Sequence, residues 1–111
     1  MRYWRAGNRT AWILDEIGKE RPITLGVVVE NNTIAQVKVL TYRESRGGEV
    51  RHAFFTNQFI GAMLNEKRQL DRDIDGVTGA TMSVRAVTRV AQVALLFHQH
   101  VTHTATRVAQ Q

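Results

Sequence analysis

The residues of this 111-residue chain that could do chemistry stand together at Asp75-Gly76-Val77-Thr78-Gly79-Ala80-Thr81-Met82-Ser83. A carboxylate, glycines and hydroxyls run there directly into Ala86, Val87, Val90, Ala94 and Phe97 at helical spacing, with Arg85, Thr88, Arg89, Gln92 and Gln99 on the other side. A glycine loop that opens a helix presents unpaired backbone N–H groups and the positive end of the helix dipole. Both favour a phosphate. The Thr81 hydroxyl stands in that first turn. Threonine and glycine are also ordinary helix-start residues, so the residues alone leave a plain N-cap open as the alternative.

Composition narrows the chemistry. There is no cysteine, which excludes disulfides, thiol catalysis and cysteine-ligated metals or iron–sulfur clusters. Redox work would have to come from a bound cofactor. No Ser/His/Asp arrangement, carboxylate pair or metal motif stands out. An enzyme with its own substrate is therefore not expected, and no catalytic residue is assigned. His98, His100 and His103 fall at i, i+2 and i+5, a poor match to the i, i+4 spacing of a helical zinc pair. They read as a polar helix end, and no metal is expected. The net charge is +5, but the arginines are scattered and no nucleic-acid module is visible, so a solvated basic surface is expected, with no nucleic acid.

At the glycine loop the sequence resembles a family. Asp75, Thr78, Gly79, Ala80 and Thr81 complete the pattern Asp-x-x-(Ser/Thr)-Gly-Ala-Thr of FMN-binding domains, related to the flavin-bearing subunits of the Rnf and Na+-translocating quinone reductase complexes. The resemblance implies that Thr81 carries FMN as a phosphoester, placed there from FAD by a Mg-dependent flavin transferase. It implies a small flavoprotein relaying electrons in a bacterial, extracytoplasmic chain, with membrane or periplasmic redox partners. A covalent link keeps the cofactor where free FMN is scarce. The start Met1-Arg2-Tyr3-Trp4-Arg5 has no apolar core and is not a signal peptide; the chain could equally be a trimmed mature domain. Residues 44–47 extend the likeness: Glu44, Ser45 and Gly47 match the family's Glu-(Thr/Ser)-Pro-Gly-x-Gly-like loop beside the flavin, while Arg46 replaces its proline and the residues after Gly47 depart from the pattern.

Within that frame each motif residue has an expected task. Gly79 turns the loop. Ala80 is small enough to admit the transferase. Thr78 bonds phosphate or loop backbone. Asp75 pins the loop or is read by the transferase with its metal ion. Arg85, one turn past Thr81, offsets phosphate charge. A non-redox module that holds a phosphate-bearing ligand or anionic partner at the same loop is the alternative function.

These residues need a scaffold. The length fits one FMN-binding domain over residues 1–111. The expected class is α+β: a small antiparallel sheet built from a hairpin at about 22–44 plus one or two further strands, covered by helices at about 53–64 and 82–100. Gly7-Asn8 signals a turn, and Thr10–Ile17 reads as strand or extended chain with Trp12, Leu14 and Ile17 inward. Ile23, Leu25, Val27 and Val29 alternate cleanly with polar or small neighbours. Asn31-Asn32 suits a two-residue turn. On the return strand Ala35, Val37, Val39 and Thr41 should share one face. Phe55, Phe59, Ala62 and Met63 set the helical stripe of the next segment, with Phe54 and Ile60 widening it, and one of the phenylalanines could also touch the flavin.

Overall fold

The structure, a computed structural model, describes the backbone of residues 1–110 and the side chains of residues 1–103. Four strands form a meander: β1 (Arg2–Ala6), β2 (Arg9–Ile17), β3 (Pro22–Glu30) and β4 (Thr33–Thr41), each antiparallel to the next, in the order β1-β2-β3-β4. Two helices follow, α1 (Ala53–Thr56) and α2 (Thr81–Gln110). This is the expected α+β class. The two further strands are β2 and β1, and the second comes from an N-terminus that carried only a turn signal at Gly7-Asn8.

The alternation of β3 does what it predicts. Ile23, Leu25, Val27 and Val29 are buried and face α2 together with Trp12 and Leu14 of β2. Ile17 does not join them and is exposed. Asn31 and Asn32 both take positive φ, 52° and 66°, the pair of left-handed residues that a tight hairpin turn requires. Past that turn β4 departs from simple alternation. Val28 pairs with Gln36, but Val29 pairs with Ile34, so Ala35 is an extra residue. This bulge turns Ile34 into the core in place of Ala35.

The expected helix over 53–64 is not formed as one element. The chain makes a 3-10 turn at Gly48–Arg51, the single turn of α1, and a second 3-10 turn at Asn57–Phe59. It then turns extended at Ile60 and left-handed at Gly61, where φ is 82°. Gly61 N–H donates to Ile34 C=O (2.7 Å), and Ile34 N–H donates to Ala62 C=O (2.9 Å). Pairing with the sheet edge thus replaces the helical bonds. Phe55, Phe59 and Ala62 still reach the core, whereas Phe54, Ile60 and Met63 are exposed. Residues 65–69 close a turn on the Asn65 carboxamide, which accepts the amides of Lys67 and Gln69, and Leu64 bridges to Leu70.

Helix α2 lies across the inner face of the sheet. Ser83, Ala86, Val87, Val90, Ala91, Ala94, Leu95 and His98 are buried at the i, i+3, i+4 spacing of one face. The expected stripe ended on Phe97; Phe97 sits at the margin against Trp12, and His98 takes the inner place. Its ring closes a small buried network. Trp12 Nε1–H donates to Thr10 Oγ1 (2.7 Å), Thr10 Oγ1 bonds His98 Nδ1 (2.7 Å), and the Asn32 N–H points at His98 Nε2 (3.4 Å). The helix continues well past His100, and the side chains beyond residue 103 lie outside the described residues. No helix among the described residues is long and apolar enough to cross a membrane.

Candidate functional site

The start of α2 is built from the loop before it. Gly79 takes φ 79°, a conformation in which any other residue is strained. Ala80 N–H then donates to Val77 C=O (2.9 Å), and Val84 N–H to Ala80 C=O (2.9 Å) is the first bond into the helix. The amides of residues 81–83 lie ahead of that bond, at the positive end of a long helix. Thr81 is exposed there. Among the described residues its hydroxyl has no hydrogen-bond partner.

The beginning of the motif is held by a residue that carried no sequence signal. Gln58 clamps the backbone of Asp75 on both sides: its Nε2 donates to Asp75 C=O (3.1 Å), and its Oε1 accepts Asp75 N–H (2.7 Å). The pinning expected of the Asp75 carboxylate is therefore done by Gln58. The exposed carboxylate itself bonds nothing among the described residues.

Residues 44–48 meet the helix start through Tyr42 and Gly47. The Tyr42 hydroxyl donates to Arg46 C=O and lies 3.0 Å from Ser83 Oγ, tying the loop after β4 to the first turn of α2. Gly47 has φ 80°, and a Cβ on it would stand 2.9 Å from the Cβ of Ala80. Ala80 is itself buried. Its small size serves this contact. Arg51 lies over the Tyr42 ring at 5.8 Å.

Two clefts flank this junction. One, of about 360 Å³, is lined by Thr81, Met82, Ser83, Ala80 and Gly79 on the helix side and by Glu44, Ser45, Arg46, Lys19 and Glu20 opposite. The other, of about 600 Å³, takes in Thr78 and Gly79 with Ser45, Arg46, Gly47, Gly48, Glu49, Arg51 and His52. They share Ser45, Arg46 and Gly79, and both volumes fall within the roughly 300–1,000 Å³ of small-molecule sites. The two segments singled out in the sequence are thus brought together, and of their residues matched to the family pattern Asp75 alone stands outside both clefts. His52 stacks on Phe54, with centroids 6.1 Å apart. Phe54 is the one phenylalanine of its segment on the surface, since Phe55 and Phe59 are buried against each other.

Glu44 has partners that spacing did not disclose. Its Oε1 accepts the backbone N–H groups of Glu20 (2.8 Å) and of Arg21 in the β2–β3 turn. Those two N–H groups, and then the charges of Arg21 and Lys19, hold its carboxyl below the usual carboxylate range against a smaller opposing effect of burial. Lys19 and the turn that carries it have no motif; only the fold places them at this cleft.

Elsewhere the geometry is less suited to a phosphate. Arg85 lines a separate groove of about 410 Å³ with Arg72 and Arg89, so it does not face the Thr81 cleft as expected. Arg72 and Arg89 are there paired with Asp71 and Glu16. A groove of about 490 Å³ at the far part of the helix is lined by Asn8, Asn31, Asn32, His98, Gln99, Thr102 and His103, with no lysine or arginine.

No curated protein and no solved structure matches the chain. A family match does cover most of it: residues 18–96 match the FMN-binding domain, a span that contains the loop after β4, the Gln58 clamp and the whole of the glycine motif. The chain therefore belongs to the FMN-binding domain family.

Proposed function

We propose that this protein is a small flavoprotein electron carrier with FMN joined to Thr81 Oγ through its phosphate. The residues present suit such a group. Thr81 offers an exposed and unengaged hydroxyl on the rim of a cleft. The amides that open α2 and the cations Lys19 and Arg46 favour an anion there. Beside Gly79 there is open space on the side where a Cβ would point.

The single observation that carries this reading is the convergence of Ser45, Arg46, Gly79 and Thr81 on one cleft inside the span of the family match. When bound, the isoalloxazine supplies one- and two-electron transfer. The chain's part is to fix the phosphate and shape the surroundings of the ring. The His52 ring, which lines the adjoining cleft and stacks on the exposed Phe54, offers it an aromatic surface. The flavin is donated from FAD by a Mg-dependent transferase that reads the exposed loop, including the free Asp75 carboxylate. The redox partners are membrane or periplasmic proteins of a bacterial extracytoplasmic chain, where a covalent bond keeps the cofactor from being lost.

Co-expression with a flavin transferase, followed by a denaturing gel viewed for flavin fluorescence, tests this. A fluorescent band at the mass of the chain is the expected result. A dark band, with the transferase active on a control substrate, contradicts it and leaves a phosphate-binding module without a covalent flavin.

A further inference from the structure

Glu44 poses a problem for a phosphate site. It lines the same cleft as Thr81, and a carboxylate facing a bound phosphate is repulsive. Its hydrogen bonds resolve this. One carboxylate oxygen is committed to two consecutive amides, those of Glu20 and Arg21. The turn so held is tight, closed by Gly18 N–H to Arg21 C=O (3.0 Å), and it projects Lys19 into the lining of the Thr81 cleft. Among the described residues the Lys19 ammonium has no ion-pair partner.

We propose that the β2–β3 turn is a third component of the phosphate site, in which Lys19 is the cation that faces the FMN phosphate and Glu44 is a positioning residue that acts through Lys19. This rests on the reading that FMN binds at Thr81. Glu44 then touches no cofactor. It works as a clasp between the loop after β4 and the turn before β3, and its charge is offset by the two amides and by Arg21 and Lys19 around it.

The test uses the full chain carrying Thr81→Val, which cannot be esterified, titrated with free FMN by flavin fluorescence quenching. Lys19→Gln in that background should weaken binding about two- to fivefold, the range of a solvent-exposed charge pair. The difference should shrink at high salt. Glu44→Ala should weaken binding comparably, because the turn that carries Lys19 loses both of its bonds to the loop after β4. Glu44→Gln keeps an oxygen that can accept both amides, and should restore most of the affinity. The Lys19→Gln/Glu44→Ala pair should be no weaker than Lys19→Gln alone, because one residue acts through the other.

Full affinity in Lys19→Gln, additive losses in the pair, or no measurable FMN binding by the Thr81→Val chain would each overturn the proposal. Failure of the underlying reading looks different: the wild-type chain then takes no covalent flavin from an active transferase. Flavin on the wild type together with full affinity in Lys19→Gln sinks the turn's role alone.

Discussion

Gly47 and Ala80 meet so closely that a Cβ on Gly47 would lie 2.9 Å from the Cβ of Ala80 and 2.7 Å from the Tyr42 hydroxyl. This contact joins the loop after β4 to the start of α2, and it makes Gly47 and Gly79 unequal. Gly47→Ala combines a left-handed φ, costing about 1–2 kcal/mol, with a clash that adds about 1–3 kcal/mol. Gly79→Ala has the same sign of φ but meets nothing within 4 Å, so it bears only the first cost. Thermal unfolding should show the larger drop for Gly47→Ala. Asparagine, which tolerates positive φ better than most residues, should be accepted at 79 and rejected at 47. Equal losses at both positions would contradict the contact.

The Gln58 clamp predicts a local effect. Gln58→Ala removes two hydrogen bonds to Asp75, each worth about 0.5–1.5 kcal/mol. Amide exchange at Asp75 should then speed up about tenfold, with protection in β3 unchanged. Gln58→Glu keeps the acceptor for Asp75 N–H but loses the donor to its carbonyl, and should fall between the two. An unchanged Asp75 amide in Gln58→Ala would show that the loop holds itself.

His98 makes stability depend on pH. Burial, and then the charge of Arg5, push its pKa below the ordinary value of 6.5. The folded state therefore resists a proton that the unfolded chain accepts. Stability contributed by neutral His98 is complete above about pH 6.5 and is lost as pH falls below it. His98→Gln, which bonds without titrating, should flatten the melting temperature in that window. Glu44 and Asp71, both held below their ordinary values by hydrogen bonds to the turn amides and to Arg72, should still cost stability at more acid pH. A wild-type melting temperature that is flat from pH 7 to 5 would contradict the His98 assignment.

Some of this was legible in the residues. The alternation of Ile23, Leu25, Val27 and Val29 admits one reading, because every inward position is apolar and a one-residue slip would bury Thr24 and Glu30. The glycine loop and the start of α2 were legible for a similar reason: positive φ at Gly79 and the helical spacing beyond it are both local. What sequence hid is not local. Phe55, Phe59 and Ala62 fit a continuous helix, yet the chain gives it up to pair Gly61 and Ala62 with Ile34. The inward turn of Ile34 depends on a bulge that its own strand does not mark. Gln58, Tyr42, Ser83 and Lys19 reach the site only after the sheet and helix have packed. The nearest local hint was that Ser83 stands on the apolar side of α2, where a polar residue requires a partner.

The most direct measurement of the central claim is intact mass and peptide mapping of the chain after co-expression with a flavin transferase, beside a Thr81→Val control. The account predicts an FMN adduct on the peptide that contains Thr81 and none on the control. A folded wild-type chain without the adduct, or an adduct that persists in Thr81→Val, would contradict it.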